Sequence, residues 1–197
     1  VNFTSADFTS YRKLSPFNQS IWNDKFILIE NKSGLITVSS GVENPLGKIR
    51  SIADYQFGKN VGKKLFPDNV TFELSKRTGR IRFVNLNGER LVTLRPTDGL
   101  FSLSIKAAKI VTETIPEAKG FVVLKNDVSK YIAEGGDVFA VHVVAVDDEV
   151  RAKDEVIVLD ENRQLLAVGR AALSAPEIRA FKTGVAVKVR HGINSKD

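Results

Sequence analysis

Between Val70 and Ile105 apolar and polar residues alternate, and the alternation is cut by three dipeptides that favour tight turns: Thr78-Gly79, Asn87-Gly88 and Asp98-Gly99. A period of two sends successive side chains to opposite faces of a strand, and Asn-Gly supplies the two positive φ values of a two-residue hairpin turn. The run VTFELSKRTGRIRFVNLNGERLVTLRPTDGLFSLSI therefore predicts an antiparallel meander of about four strands. Just upstream the period changes: Ile49, Ile52, Ala53 and Phe57 fall at helical spacing from Lys48 onward, with Gly58 as the stop. Downstream, KAAKIVTETIP predicts a short helix that Pro116 closes, which places a domain boundary at 115–119.

The remainder of the chain is richer still in β-branched runs. FVVL, DVFAVHVVAV, DEVIVLD, LLAVGRAAL and GVAVKVR read as strands. NDVSKYIAEGG reads as a helix capped by Asn126 or Asp127 and ended by Gly135, and SAPEIRAFKTG as a second helix capped by Ser174. Many short strands with two small helices in so short a stretch predict a small, partly open barrel. Near the start, DKFILIE (24–30) and GLITVSS (34–40) are spaced as a hairpin with Phe17, Trp22 and Phe26 as its core, and ENPLG reads as a break. The expected fold class is thus α+β: a divergent hairpin region (1–46), a small domain of helix plus antiparallel sheet (47–117), a pseudo-barrel (118–192) and a tail (193–197).

Composition narrows the chemistry. There is no cysteine, which removes disulfides, thiolate metal sites and cysteine nucleophiles, and the imidazoles are His142 and His191 alone, so neither a metal site nor a cofactor is expected. No apolar run reaches the roughly 20 residues of a membrane span, and the opening VNFTSADFTSYRKL lacks the pattern of a secretory leader, so a cytoplasmic protein is expected. The carboxylates Asp147, Asp148 and Glu149 form a run that reads as a solvated turn, and no catalytic residue is expected. Charge is the informative quantity. Val1 to Ala118 holds 17 basic and 11 acidic residues, whereas Lys119 to Asp197 holds 12 of each; Lys48 to Lys109 alone holds 13 basic and 5 acidic. A module so cationic attracts phosphate backbones.

The ordered set GGDVFAVHVV, KDEVIVLDENRQLLAVGRAALS and FKTGVAVKVRHG, within Gly120 to Gly192, resembles a PUA domain, an RNA-binding fold of tRNA- and rRNA-modifying enzymes. The stretch before it, IADYQFGKNVGKKLFPDNVTFELSKRTGRIRFV with LRPTDGLFSLSI, is similar to the domain that precedes PUA in archaeal archaeosine tRNA-guanine transglycosylases and archaeosine synthases. The resemblance covers Lys48 to Gly192. It implies domains that grip tRNA by its acceptor stem and 3′ end while a separate TIM-barrel domain exchanges a base in the D-arm. The 197 residues have no room for eight βα units of about 30 residues each. The expected partners are therefore tRNA and a separate catalytic transglycosylase or synthase subunit, and a homo-oligomer is possible. The alternative from another class is a ribosome-associated or translation factor protein ending in a PUA domain.

In PUA domains RNA lies against the first helix, the glycine loop after it and the following strand. That implies Gly135 and Gly136, whose bare backbone would let an N–H approach a phosphate, although a helix C-cap explains the pair equally well. Asp137 is placed to accept from a ribose hydroxyl, while Val138 and Phe139 alternate so that one packs inward and the other is free to meet a base; burial preference favours Phe139 as core over a base platform. Lys188 and Arg190 fall on one face of the last strand, with His191 beyond them and Arg170 at the barrel rim. Upstream, Lys76, Arg77 and Arg80 surround a predicted hairpin tip with Arg82 one pleat further, and Lys59, Lys63 and Lys64 continue the charge past the first helix.

Overall fold

A computed structural model describes residues 26–31, 34–39, 44–115 and 118–195. The expected hairpin is present: β1 (Phe26–Asn31) pairs antiparallel with β2 (Gly34–Ser39), from Phe26 against Ser39 to Asn31 against Gly34. It belongs to a unit separate from Asn44–Asp197. The packing expected of Phe17, Trp22 and Phe26 lies outside the described residues and side chains, as does the role given to Pro116.

Helix α1 (Pro45–Phe57) begins three residues before the expected start, because Pro45 opens the helix instead of breaking the chain. The Asn44 side chain accepts the Gly47 N–H at 2.7 Å, and a proline at the first position loses no helical hydrogen bond. Pro45, Ile49, Ala53 and Phe57 recur every fourth residue and are buried, and Gly58, at φ 105°, ends the helix. A five-residue helix, α2 (Val61–Leu65), follows where no helix is expected. It packs so closely on α1 that a Cβ on Gly62 would meet the Arg50 carbonyl oxygen at 2.2 Å.

The meander is four strands in sequence order: β3 (Thr71–Leu74), β4 (Ile81–Leu86), β5 (Glu89–Leu94) and β6 (Phe101–Leu103). Leu86 pairs with Glu89 across Asn87 (φ 53°) and Gly88 (φ 81°), the left-handed pair that a two-residue hairpin needs. Val84, Val92 and Leu103 share the inner face and pack with α3 (Ile105–Thr114), which Ser104 caps by accepting the Ala107 N–H at 3.1 Å.

The last part is a six-stranded sheet in the order β8-β12-β11-β10-β7-β9, built from β7 (Phe121–Leu124), β8 (Val138–Phe139), β9 (Val143–Val146), β10 (Glu155–Asp160), β11 (Leu165–Ala171) and β12 (Val185–Gly192). Only β10 and β7 run parallel. The two edge strands are joined by one 3-10 turn, Ala140–His142, so the sheet curls into a nearly closed barrel. This turn corrects the reading of DVFAVHVVAV as one strand. The first helix is also reduced: a 3-10 turn (Asn126–Val128) leads into α4 (Ser129–Ala133), and neither Asn126 nor Asp127 caps it. The Asn126 side chain accepts instead from the Glu161 N–H at 3.3 Å. Before α5 (Ala175–Ala180), Ser174 makes the expected cap, donating its N–H to Glu177 at 2.8 Å and its hydroxyl at 2.6 Å.

The sheet module and the barrel share one core. Phe57, Phe66, Phe101 and Val111 cluster with Phe121, Ile157, Leu159 and Val168, while Val122, Leu124, Val138, Val156, Val158 and Ala186 fill the barrel itself. This explains why β10 reads as an unbroken apolar run: alternate residues face two different cores, and neither face meets water. Polar links cross the same seam. The Lys119 N–H donates to the Phe57 carbonyl at 2.7 Å, and the Leu103 N–H to the Glu155 carboxylate at 2.8 Å.

Candidate nucleic-acid interface

The exposed cations are ordered by strand register. At the β3–β4 turn, Lys76, Arg77, Thr78, Gly79 and Arg80 are all exposed, and the Gly79 N–H returns to the Ser75 carbonyl at 2.9 Å, which fixes the tip. The β5–β6 turn is at the same end of this sheet and touches the barrel. Arg95, almost wholly buried, bonds Asp98 at 3.0 Å and the Lys153 carbonyl at 3.3 Å. Burial alone would raise the Asp98 carboxyl, but the Leu100 N–H and the charges of Arg95 and Arg170 outweigh it and hold the pKa below the ordinary carboxylate value. The turn reaches the neighbour of Arg170 through Lys153, whose N–H donates to the Ala171 carbonyl at 2.8 Å.

From Arg170 the row continues across the barrel. Arg170 on β11 lies directly opposite Lys188 on β12, and both are exposed. Like charges in such a pair repel, a cost that an anion held between them removes. Strand β12 then pairs with β8, and the Val189 N–H donates to Asp137 Oδ1 at 2.9 Å, immediately after the glycine loop. Phe139 faces out at 42% exposure, and Tyr131 on α4 stands out at 58%. The β5–β6 turn, Arg170, Lys188 and the glycine loop are thus linked one to the next, and the β3–β4 tip lies at the same end of its sheet as that turn. Lys59 is exposed beyond α1, and Lys63 and Lys64 are exposed in the last turn of α2, where positive charge also suits the helix end.

Four expected contacts take a different form. The Gly135 and Gly136 N–H groups are occupied, by the Ile132 and Tyr131 carbonyls at 3.0 Å each, so the pair is a Schellman cap with Gly135 at φ 104° and offers no free backbone donor. A Cβ on Gly136 would lie 2.1 Å from the Tyr131 ring, which packs over it. Val138 is fully buried in the barrel. Arg190 is not a second free cation beside Lys188: a bulge interrupts the β11–β12 register there. Its guanidinium binds the buried Glu155 carboxylate, at 3.0 Å through Nη1, and the Leu103 carbonyl at 2.8 Å. Glu155 accepts in turn from the Leu103 N–H at 2.8 Å, so the group ties β6 to the barrel. His191 on β12, paired with Val168, is exposed, and its ring makes no hydrogen bond to the described residues.

The carboxylate run is likewise engaged. Asp147 accepts the Gly120 N–H at 2.8 Å, Asp148 pairs with Arg179, and Glu149 binds Lys119 at 2.6 Å. Among the described residues no cluster of three metal-ligating side chains occurs, and no helix is long and apolar enough to cross a membrane.

Two family models match this architecture. Residues 47–117 match the patch-forming domain C2 of tRNA-guanine transglycosylase, and residues 120–193 match the PUA domain. Together they define a module in which a C2 sheet and a PUA barrel are adjacent. The chain is 41% identical over 151 residues to a tRNA-guanine(15) transglycosylase of Methanobrevibacter smithii, covering 77% of this chain and 23% of that protein. Against the corresponding protein of Pyrococcus abyssi it is 38% identical over 187 residues, covering 94% of this chain and 30% of the relative. The chain thus belongs with the C2 and PUA domains of archaeal tRNA-guanine(15) transglycosylase, and it spans 23% and 30% of the length of these two relatives. What matches is the C2 and PUA part, not the catalytic domain. Among solved structures, a hypothetical protein of Pyrococcus horikoshii superposes with a TM-score of 0.62 at 21% identity, covering 77% of this chain and 91% of that one. A PUA domain protein of Aeropyrum pernix does so at 0.56 and 17%, covering 85% and 93%. At those identities the likeness shows the fold.

Proposed function

We propose that this module grips tRNA by its acceptor stem and 3′ end, and holds it for an archaeosine-pathway catalytic unit that lies outside these residues. The observation that carries the reading is the directly opposed pair Arg170 and Lys188, flanked on one side by the glycine loop with exposed Phe139 and on the other by the β5–β6 turn, with the cationic β3–β4 tip at the same end of the C2 sheet. Two cations facing each other without a carboxylate between them suit a phosphate of the backbone, and an exposed aromatic ring beside them suits an unpaired base. The C2 and PUA matches supply the class of RNA.

Filter binding of the full chain to a tRNA transcript across a potassium chloride series tests the reading. Affinity should fall steeply with salt, and a tRNA lacking its 3′ single strand should bind more weakly. Equal binding of the two RNAs would remove the 3′-end part of the proposal, and salt-insensitive or absent binding would remove all of it. Crosslinking to ribosomal RNA in preference to tRNA would favour the translation-factor alternative.

A further inference from the structure

The outer face of the C2 sheet carries an aromatic residue that neither core explains. Phe83 on β4 points away from Val84 and Val92, belongs to neither buried cluster, and is half-buried all the same. Its cover is two arginines. The Arg90 guanidinium carbon lies 3.8 Å from the ring centroid and that of Arg82 4.8 Å from it.

Among the described residues four arginines bind a carboxylate, and these two are among the seven that do not. Arg50, Arg95, Arg179 and Arg190 each bind a carboxylate, whereas Arg82 and Arg90 have no carboxylate or carbonyl partner among the described residues. The nearby acids are engaged elsewhere: Glu73, directly across from Phe83, accepts the Asn85 amide at 2.5 Å, and Glu89 is held by Lys106. A guanidinium held over a ring loses mobility but keeps its in-plane N–H groups free beyond the ring edge. Placing two such cations on one ring brings like charges together, a cost removed by a bound anion.

We propose that Arg82 and Arg90, stacked on Phe83, form a clamp for a phosphodiester group of RNA. Phe83 is the positioning residue, and Arg82 and Arg90 supply forked donors to the phosphate oxygens. The clamp continues the cationic β3–β4 tip onto the outer sheet face, within a stretch holding 13 basic and 5 acidic residues, and this complementarity argues for a polyanion as occupant. It rests on the RNA-binding reading above and extends it to a face of C2 remote from the glycine loop along the chain.

The test measures tRNA affinity of the full chain at several salt concentrations for wild type, Arg90→Ala, Arg90→Lys and Phe83→Leu, with urea unfolding of each to confirm the fold. The alanine variant should lose about tenfold in affinity and about one unit of salt slope. The lysine variant should regain the slope but not the affinity, because an ammonium has no planar fork to stack. Phe83→Leu should lose affinity with both arginines intact. If Arg90→Ala and Phe83→Leu both bind as wild type does, the stack merely covers an apolar ring and the clamp is overturned while the RNA-binding reading stands. If wild type itself shows no salt-sensitive binding, both fall.

Discussion

The C2 sheet and the PUA barrel are similar in size and share a core, yet they differ in net charge. In C2 the cations outnumber the acids and most stand free, at Lys59, Lys63, Lys64, Lys76, Arg77, Arg80, Arg82 and Arg90. In the barrel acids and bases balance; Lys119, Arg179 and Arg190 are held by carboxylates, while Arg170 and Lys188 face each other and Lys125, Lys130, Arg151, Lys153, Arg163 and Lys182 also make no ion pair among the described residues. The difference suggests a division of labour. Net charge gives long-range attraction that any phosphate backbone satisfies, while a few fixed groups on a charge-neutral surface discriminate by shape.

The most severe way to break this contrast is to cut the tie between the two parts. Arg190→Ala leaves the Glu155 carboxylate buried without its partner and should cost about 3 kcal/mol in a urea titration. The unfolding should stay a single transition, and two separate transitions would show that the parts fold independently. Replacing Lys76, Arg77 and Arg80 together by alanine should weaken tRNA binding about thirtyfold and lower the salt slope by about two to three, whereas Lys188→Ala should lower the slope by about one. Equal slopes for the two variants would erase the division of labour. Gly135→Ala forces a side chain into a left-handed φ and should cost about 1 to 2 kcal/mol of stability; an equal loss of RNA affinity at temperatures where the variant is fully folded would show that the loop itself meets the ligand.

The smallest effect concerns acid. Because the Asp98 carboxyl has a lowered pKa in the folded state, the native protein binds fewer protons there than the unfolded chain does. Its contribution is complete above the ordinary value of 3.8 and is lost as pH falls through the lower folded value. Asp98→Asn should flatten that part of the stability curve and leave the curve's shape near neutrality unchanged, as acid unfolding monitored by circular dichroism would show.

Local chemistry made much of this fold legible. Asn87-Gly88 declared its hairpin because few other pairs tolerate two left-handed residues in succession, and Gly58 ended α1 for a related reason. The break in DVFAVHVVAV was not legible, since the 3-10 turn at Ala140–His142 is imposed by barrel closure and by the Ala140 N–H reaching the Gly184 carbonyl at 3.0 Å. Helix α2 escaped because its stability comes from tertiary contact at Gly62 and not from periodicity. At the candidate site, Arg190 looked free because its partner Glu155 is distant in sequence, and only strand order reveals that Lys188 faces Arg170. Alternation splits Val138 from Phe139, but burial preference points to Phe139 as core, whereas Val138 is the inward residue and Phe139 the outward one. Arg90 gave no signal at all, because its stacking on Phe83 requires knowing which strands are neighbours.

Strand β10 turns one side to the barrel and the other to the sheet module. For this chain, then, excising the barrel at 115–119 would strip Ile157, Leu159 and Phe121 of their cover and expose a sticky surface. An engineer grafting the barrel onto another protein should transplant both halves together, since what looks divisible along the chain behaves as one inseparable cassette in space.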